Sequence, residues 1–283
     1  MKRKGEMIAD TYVIKEVLGE GSSGEVFLVE RVKTEMLYTM KTSTCKELLK
    51  REALIAGEIQ SGYFPGFVDY TEDSERGYLI LEYMEGRSLQ ELLDGGRHFS
   101  EKEILILLEN ITAALRMLHY HKRPIVHLDI KPANVIITAK GEVRIIDMGA
   151  GSVVGVKQKS KGGTYGYGAP EQFWQGTTPG PEADVYACGK LMAYLFTGKN
   201  PCEPPYDVEG QMLKSMGVKK CWRRIIKKCL EMEPKKRYPD GGILHQEIMK
   251  LQKEFWGGKR IRDEGYADII YMKSIWKSDY ERV

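Results

Sequence analysis

His127-Leu128-Asp129-Ile130-Lys131-Pro132-Ala133-Asn134, followed thirteen residues after Asn134 by Asp147-Met148-Gly149, decides how this 283-residue chain is read. A carboxylate, a lysine, an amide and a second carboxylate fall in one strand-loop-strand region. Asn134 and Asp147 offer the oxygen ligands that a hard cation such as magnesium prefers. Lys131 can neutralise charge on a moving phosphoryl group. The main service of Asp129 would be to orient a hydroxyl. Alone, each of these residues reads equally well as a loop cap. Together, at this spacing, they imply chemistry on a magnesium-bound polyphosphate beside a hydroxyl nucleophile.

Upstream, the chain is strand-rich from Tyr12 to Tyr83. Tyr12 to Val17, Val26 to Val32 and Met36 to Lys41 are β-branched and aromatic runs separated by Gly or charged turns. Cys45 to Ile59 changes to helical period, with Leu48, Leu49, Ile55, Ala56 and Ile59 as the expected apolar face. Tyr78 to Leu81 reads as another strand. Beyond Met84-Glu85-Gly86 the pattern turns helical. Ser88 to Leu93 predicts a short helix. Ser100 with Glu103 fits a capping box, opening a helix with Ile104, Leu107, Leu108, Ile111, Leu115 and Leu118 on one stripe. Val135-Ile136-Ile137 and Val143 to Ile146 predict a hairpin around Lys140-Gly141, and Ala183 to Thr197 a buried helix. The expected class is α+β: a small β-rich lobe over 1–84, a hinge near 82–86, a larger helical lobe over 85–256, and an aromatic tail over 257–283.

Gly19-Glu20-Gly21-Ser22-Ser23-Gly24-Glu25-Val26 places three glycines where backbone amides can approach phosphate oxygens. A dinucleotide-binding reading needs a helix after the glycines. Val26-Phe27-Leu28-Val29 follows instead and reads as a strand, so that reading is set aside. Strand alternation puts Thr39 and Lys41 on one face. If that face looks onto a ligand, Lys41 reaches phosphates and Thr39 lies over a base. Glu52 on the next helix is the expected partner of Lys41. Glu58, six residues on, points well away from the face of Glu52.

Composition narrows the class. At 42% hydrophobic and 29% charged residues, the balance is that of a water-soluble globular chain. A net charge of +3 is small for this length and argues for neither nucleic-acid nor membrane binding. The five cysteines are scattered, with no C-x-x-C, as expected of reduced thiols in a cytoplasmic protein. Met1-Lys2-Arg3-Lys4 has no apolar segment after it, which argues against a secretory signal, and no stretch of about 18 apolar residues suggests a membrane span.

With these motifs in order, the chain resembles the eukaryotic-type serine/threonine protein kinases from Tyr12 to Phe255, with Gln172 and compact inserts suggesting a bacterial member. Gly19, Gly21 and Gly24 match the Gly-rich loop, Lys41 the strand lysine, and Glu52 its helix partner. Asp129, Lys131 and Asn134 match the catalytic loop, Asp147 the metal-binding aspartate, and Ala169-Pro170-Glu171 the A-P-E element. Asp184 resembles the aspartate that braces the catalytic loop, and Arg237 the arginine that pairs with Glu171. The resemblance implies a bilobal kinase fold, ATP and Mg2+ as cofactors, and a protein substrate bearing Ser or Thr. The serine/threonine form rests on Lys131-Pro132 and on Gly163-Thr164-Tyr165-Gly166-Tyr167. It also implies Leu81 as gatekeeper, Glu82 to Met84 as adenine hinge, and Val26, Thr39 and Ile136 around the base. Rival readings are a pseudokinase scaffold and a small-molecule phosphotransferase. Intact catalytic positions oppose the first; Asp184, Arg237 and the A-P-E element oppose the second.

Departures from the pattern carry the detail. Leu128 stands where many kinases have an arginine that pairs with a phosphorylated activation loop. An apolar side chain cannot make that contact, so activity independent of loop phosphorylation is expected. Met148 replaces Phe, and Thr39 stands where Ala is usual. The interval from Lys41 to Glu52 is short for the family. Thr164 is expected to touch Asp129 and Lys131 directly. The lysines at 157, 159 and 161 make the activation segment basic, and Tyr266, Ile269, Ile270, Tyr271, Ile275 and Trp276 make the tail too apolar for a free coil. The tail is expected to pack on its own large lobe, with partner docking or dimerisation as the alternative.

Overall fold

The computed structural model describes residues 4–21, 24–156, 162–202 and 211–255. Ser22 and Ser23, the three activation-segment lysines with Ser160, and the aromatic tail lie outside the described residues. The chain divides between Glu85 and Gly86 into two compact units.

The first unit is a six-stranded antiparallel sheet with one helix. Its elements are β1 (Met7–Ile8), β2 (Tyr12–Gly21), β3 (Gly24–Arg31), β4 (Met36–Ser43), α1 (Lys46–Glu58), β5 (Phe67–Glu72) and β6 (Gly77–Glu82). The strand order is β1-β2-β3-β4-β6-β5. Alternation divides the side chains between two faces. Ile8, Tyr12, Ile14, Phe27, Val29, Met40, Tyr78 and Ile80 form the core on one face. On the other, Leu79 and Leu81 pack against Leu49, Ala53 and Ala56 of α1. Lys41 sits opposite Val26 and Leu79, and Thr39 opposite Leu28 and Leu81. Directly opposed residues share a face, so Val26, Thr39 and Lys41 lie on the face that α1 covers.

The helix α1 is held at its start. The Lys46 ammonium donates to the Asp73 carbonyl and, at 3.0 Å, to the Ser74 carbonyl in the turn between β5 and β6. Asp73 also accepts the Tyr78 hydroxyl at 2.6 Å. One expectation is corrected here. Leu48 is exposed and does not belong to the apolar face; Leu49, Ile55, Ala56 and Ile59 do. The helix carries leucines on both sides, Leu54 being 66% exposed, so leucine content alone misplaces the stripe. The edge strands β1 and β5 were also not anticipated. Asp69 and Glu72 interrupt the apolar pattern of β5, and a bulge lies between Phe67 and Asp69.

The second unit is mainly helical. It runs through β7 (Gly86–Ser88), α2 (Leu89–Asp94), α3 (Glu101–His119), β8 (Ile125–Val126), β9 (Val135–Thr138), β10 (Val143–Ile145), β11 (Ser152–Val153), α4 (Pro181–Thr197), α5 (Gln211–Ser215), α6 (Lys220–Cys229) and α7 (Gly241–Phe255). The expected capping box forms. Ser100 Oγ accepts the Glu103 N–H at 3.3 Å, and Glu103 Oε2 accepts the Ser100 N–H at 2.6 Å. Ser88 caps α2 in the same way with Glu91. The six apolar residues predicted for α3 are all buried, and so are Leu105 and Ile106. α4 is buried along nearly its whole length and ends at Gly198, whose φ of +64° suits glycine. The β9–β10 hairpin turns at Gly141, as its sequence implied.

Candidate functional site

In the first unit, Lys41 Nζ lies 2.6 Å from Glu52 Oε1. The pair follows from the fold: β4 turns the lysine toward the face on which α1 lies, and Glu52 faces back from the buried side of that helix. Both side chains are largely withdrawn from water, at 14% and 5% exposure. Glu58, one and a half turns on, is exposed.

The glycines of the Gly-rich turn differ in what the protein itself requires of them. A Cβ on Gly24, at φ +140°, would fall 1.9 Å from the Thr42 carbonyl oxygen, so packing alone demands glycine there. A Cβ on Gly19 or Gly21 would meet nothing within 4 Å among the described residues. Their bareness fits a turn that something else must approach closely, as a phosphate does. Val26 and Thr39 share the face of Lys41. The Glu82 carboxylate accepts the Gly66 N–H at 3.1 Å, and Met84 follows β6 half-buried.

In the second unit, the loop from His127 to Asn134 is built on Asp184. This fully buried carboxylate accepts the His127 N–H at 2.8 Å, the Leu128 N–H at 2.7 Å and His119 Nε2–H at 2.9 Å. His119 Nδ1 in turn accepts the Gly241 N–H at 2.8 Å, which fixes its tautomer. Burial pushes the Asp184 pKa up, but the His119 hydrogen bond, the two histidine rings and the His127 N–H outweigh it, so the carboxyl ends below its ordinary value. The loop is thereby held with Leu128 at φ +64°, a conformation that costs an L-residue about 1–2 kcal/mol. Asp147 adopts the same region at φ +68°.

Asp129 is the hub. Its Oδ1 accepts the Thr164 hydroxyl at 2.7 Å. Its Oδ2 meets Lys131 Nζ at 2.8 Å and Asn134 Nδ2 at 3.0 Å. Lys131 Nζ also donates to Thr164 Oγ1 at 2.7 Å, so both contacts expected of Thr164 are present. Asn134 is fixed through its backbone: its N–H reaches the Lys131 carbonyl, and its carbonyl accepts the Ile146 N–H. Its Nδ2 also donates to the Asp129 carbonyl at 2.9 Å. With the amide nitrogen so committed, its oxygen faces the other way. Asp147 Oδ1 accepts the Gly149 N–H at 3.0 Å.

An amide oxygen and a carboxylate suit magnesium, which typically takes one or two protein ligands and completes its shell with phosphate oxygens and water. Among the described residues no group of three His, Cys, Asp or Glu forms a metal cage; Asn134 and Asp147 offer one amide oxygen and one carboxylate. Ile136 is buried on β9.

Sequence reasoning missed His119, whose role as brace depends on a partner 65 residues away. It also noted Gln172 only for its place after the A-P-E element. That side chain proves to be buried, with partners in three segments.

Comparison with known proteins identifies the family. A family model described as the protein kinase domain matches residues 12–249. Mitogen-activated protein kinase kinase 1 of Arabidopsis thaliana is 32% identical over 72% of this chain and 59% of its own length. An Aurora kinase of Eremothecium gossypii is 26% identical over 87% of this chain and 71% of its own length. The serine/threonine-protein kinase PrkC of Bacillus subtilis is 29% identical over 70% of this chain but only 32% of its own length. The chain thus spans less than two thirds of several curated relatives it matches. With the family model covering most of its residues and the catalytic loop braced on Asp184, the chain belongs to the protein kinase domain family.

Proposed function

We propose that this chain is an active serine/threonine protein kinase that transfers the γ-phosphate of ATP to Ser or Thr hydroxyls of protein substrates. The observation that carries this reading is Asp129, whose carboxylate already holds a hydroxyl, that of Thr164, with Lys131 bridging the two. A substrate hydroxyl placed at the same carboxylate would be oriented by Asp129, which would take its proton late in the transfer. Lys131 would neutralise charge beside it. Lys41, held extended by Glu52, and the Gly19–Gly24 turn would position the phosphates. Asn134 and Asp147 would hold magnesium. ATP with its magnesium supplies the phosphoryl group and the counter-charge. Glu82 to Met84 would serve as the adenine hinge, with Val26, Thr39 and Ile136 about the base. The two compact units are read as lobes over 1–84 and 85–256, with 257–283 as a separate tail for self-packing or a partner.

The same reading holds activity to be independent of activation-loop phosphorylation, because Leu128 is apolar and 2% exposed and offers no charge to a phosphate. A cytoplasmic location is supported by five free thiols. No helix among the described residues is long and apolar enough to cross a membrane.

The deciding measurement is γ-phosphate transfer to a generic protein substrate by the wild type and by Asp129→Asn. Turnover by the wild type alone supports the proposal; equal, background-level transfer by both defeats it. Undiminished turnover by protein stripped of phosphate with a phosphatase supports the phosphorylation-independent form, and abolition of turnover defeats it.

A further inference from the structure

Gln172 is 4% exposed and lies just beyond Glu171. Its side-chain amide nitrogen donates to the Leu128 carbonyl at 2.9 Å and to the Gly162 carbonyl at 3.0 Å. Its amide oxygen accepts the Ala169 N–H at 2.9 Å. The two carbonyls and the N–H leave only one orientation for the carboxamide. One neutral group therefore joins the catalytic loop, the far end of the activation segment and the A-P-E element.

The fit is close. Gly163, at φ +113°, runs so near that a Cβ there would lie 2.5 Å from Gln172 Nε2 and 2.8 Å from the Leu128 carbonyl oxygen. The Leu128 peptide is gripped at both ends, its N–H by Asp184 at 2.7 Å and its carbonyl by Gln172. Thr164, two residues past Gly162, carries the hydroxyl that meets Asp129. Displacing Gly162 would pull on that hydroxyl. Loss of the Gln172 carboxamide would leave two buried backbone groups, the Ala169 N–H and the Leu128 carbonyl, and the part-buried Gly162 carbonyl without this partner, and such groups are costly to strand.

We propose that Gln172 is a positioning residue that seats the Gly162–Thr164 end of the activation segment on the catalytic loop without any phosphate. It would do through three backbone groups what, in kinases with an arginine before the catalytic aspartate, that arginine does through a phosphorylated side chain. The catalytic consequence rests on the kinase reading above; the seating itself does not.

The test uses the full chain and two variants. Gln172→Glu keeps the shape but sets a carboxylate against two carbonyls, and Gln172→Leu removes all three bonds. Hydrogen exchange is followed at the Tyr167 and Gly168 amides, which both donate to the Thr164 carbonyl, with the amides of α3 as internal reference. Protein-substrate turnover is measured in parallel. Exchange at Tyr167 and Gly168 rises at least about tenfold in both variants while α3 is unchanged. Turnover per enzyme falls about tenfold or more, with KM for ATP within about twofold. Unchanged exchange at those two amides overturns the seating. So does a rise matched throughout α3, which would mean general unfolding. Faster local exchange with full turnover overturns the positioning role. Should even the wild type fail to transfer phosphate, the kinase reading falls, and the exchange comparison still decides the seating.

Discussion

Arg237 meets Glu171 as a buried bidentate pair, Nη1 to Oε1 at 2.6 Å and Nη2 to Oε2 at 2.9 Å. The arginine side chain is 0% exposed. Its remaining donors reach the carbonyls of Glu231 at 2.7 Å, Glu182 at 3.1 Å and Met232 at 3.2 Å, and its guanidinium lies 4.8 Å from the centre of the Tyr186 ring. A lysine could not reproduce this fork. Arg237→Lys is expected to lower stability by about 3 kcal/mol or more, because Glu171 keeps its charge and loses its geometry. Thermal unfolding would show it, and a variant melting with the wild type would refute the anchoring role.

The Lys41–Glu52 pair predicts a split effect. Glu52→Gln keeps the volume of α1 but removes the charge that holds Lys41. ATP turnover should fall about tenfold or more, while the melting temperature stays within a few degrees. Equal turnover in wild type and variant would show that the pair is incidental to activity.

Gly24 and Gly21 should separate structure from binding. Gly24→Ala drives a methyl into the Thr42 carbonyl and is expected to destabilise the first unit by more than about 1 kcal/mol. Gly21→Ala meets open space among the described residues, so folding should be untouched while ATP affinity drops. Denaturant unfolding and nucleotide titration of the two variants read these outcomes separately.

Asp184 gives the molecule an acid limb. Its native pKa lies below the ordinary value of 3.8, so the unfolded chain takes up the proton first. The stabilisation is complete above that ordinary value and is lost as pH falls through it toward the lower native pKa. The stability gap between wild type and Asp184→Asn should be constant near neutrality and shrink below about pH 4. A gap that widened on acidification would contradict the assignment.

Leu128→Arg is expected to harm the protein and not to confer phosphate control. The position is buried at 2% exposure in a left-handed conformation, and an unpaired buried charge costs several kcal/mol. Unfolding midpoints and phosphatase sensitivity of the variant check both halves.

What the sequence disclosed follows from the range over which each feature is encoded. The Ser100–Glu103 box, the Lys140-Gly141 turn and the catalytic loop are local patterns, readable within a few residues. Lys41 with Glu52 could be paired because strand and helix are adjacent in the chain. The outward turn of Leu48 depends on how α1 rolls onto Leu79 and Leu81, which helical period alone does not set. β5 went unread because an edge strand needs few apolar residues, and Asp69 and Glu72 break its alternation. Gln172 reaches Leu128 across 44 residues, and nothing near it in sequence announces the contact.

The hold of Lys46 on the Asp73 and Ser74 carbonyls has a mechanical consequence. Only four residues lie between Lys41 and Lys46, a span of at most about 17 Å of extended chain, and the front of α1 is already moored to the turn beyond β5. The helix is therefore tied to that turn at its front, while its far end is held by the packing of Ala56 and Ile59. Withdrawing Glu52 from Lys41 by swinging α1 about Lys46 keeps the Lys46 contacts, whereas sliding the helix bodily breaks them, so the leverage of a binding partner would be greatest near Glu58.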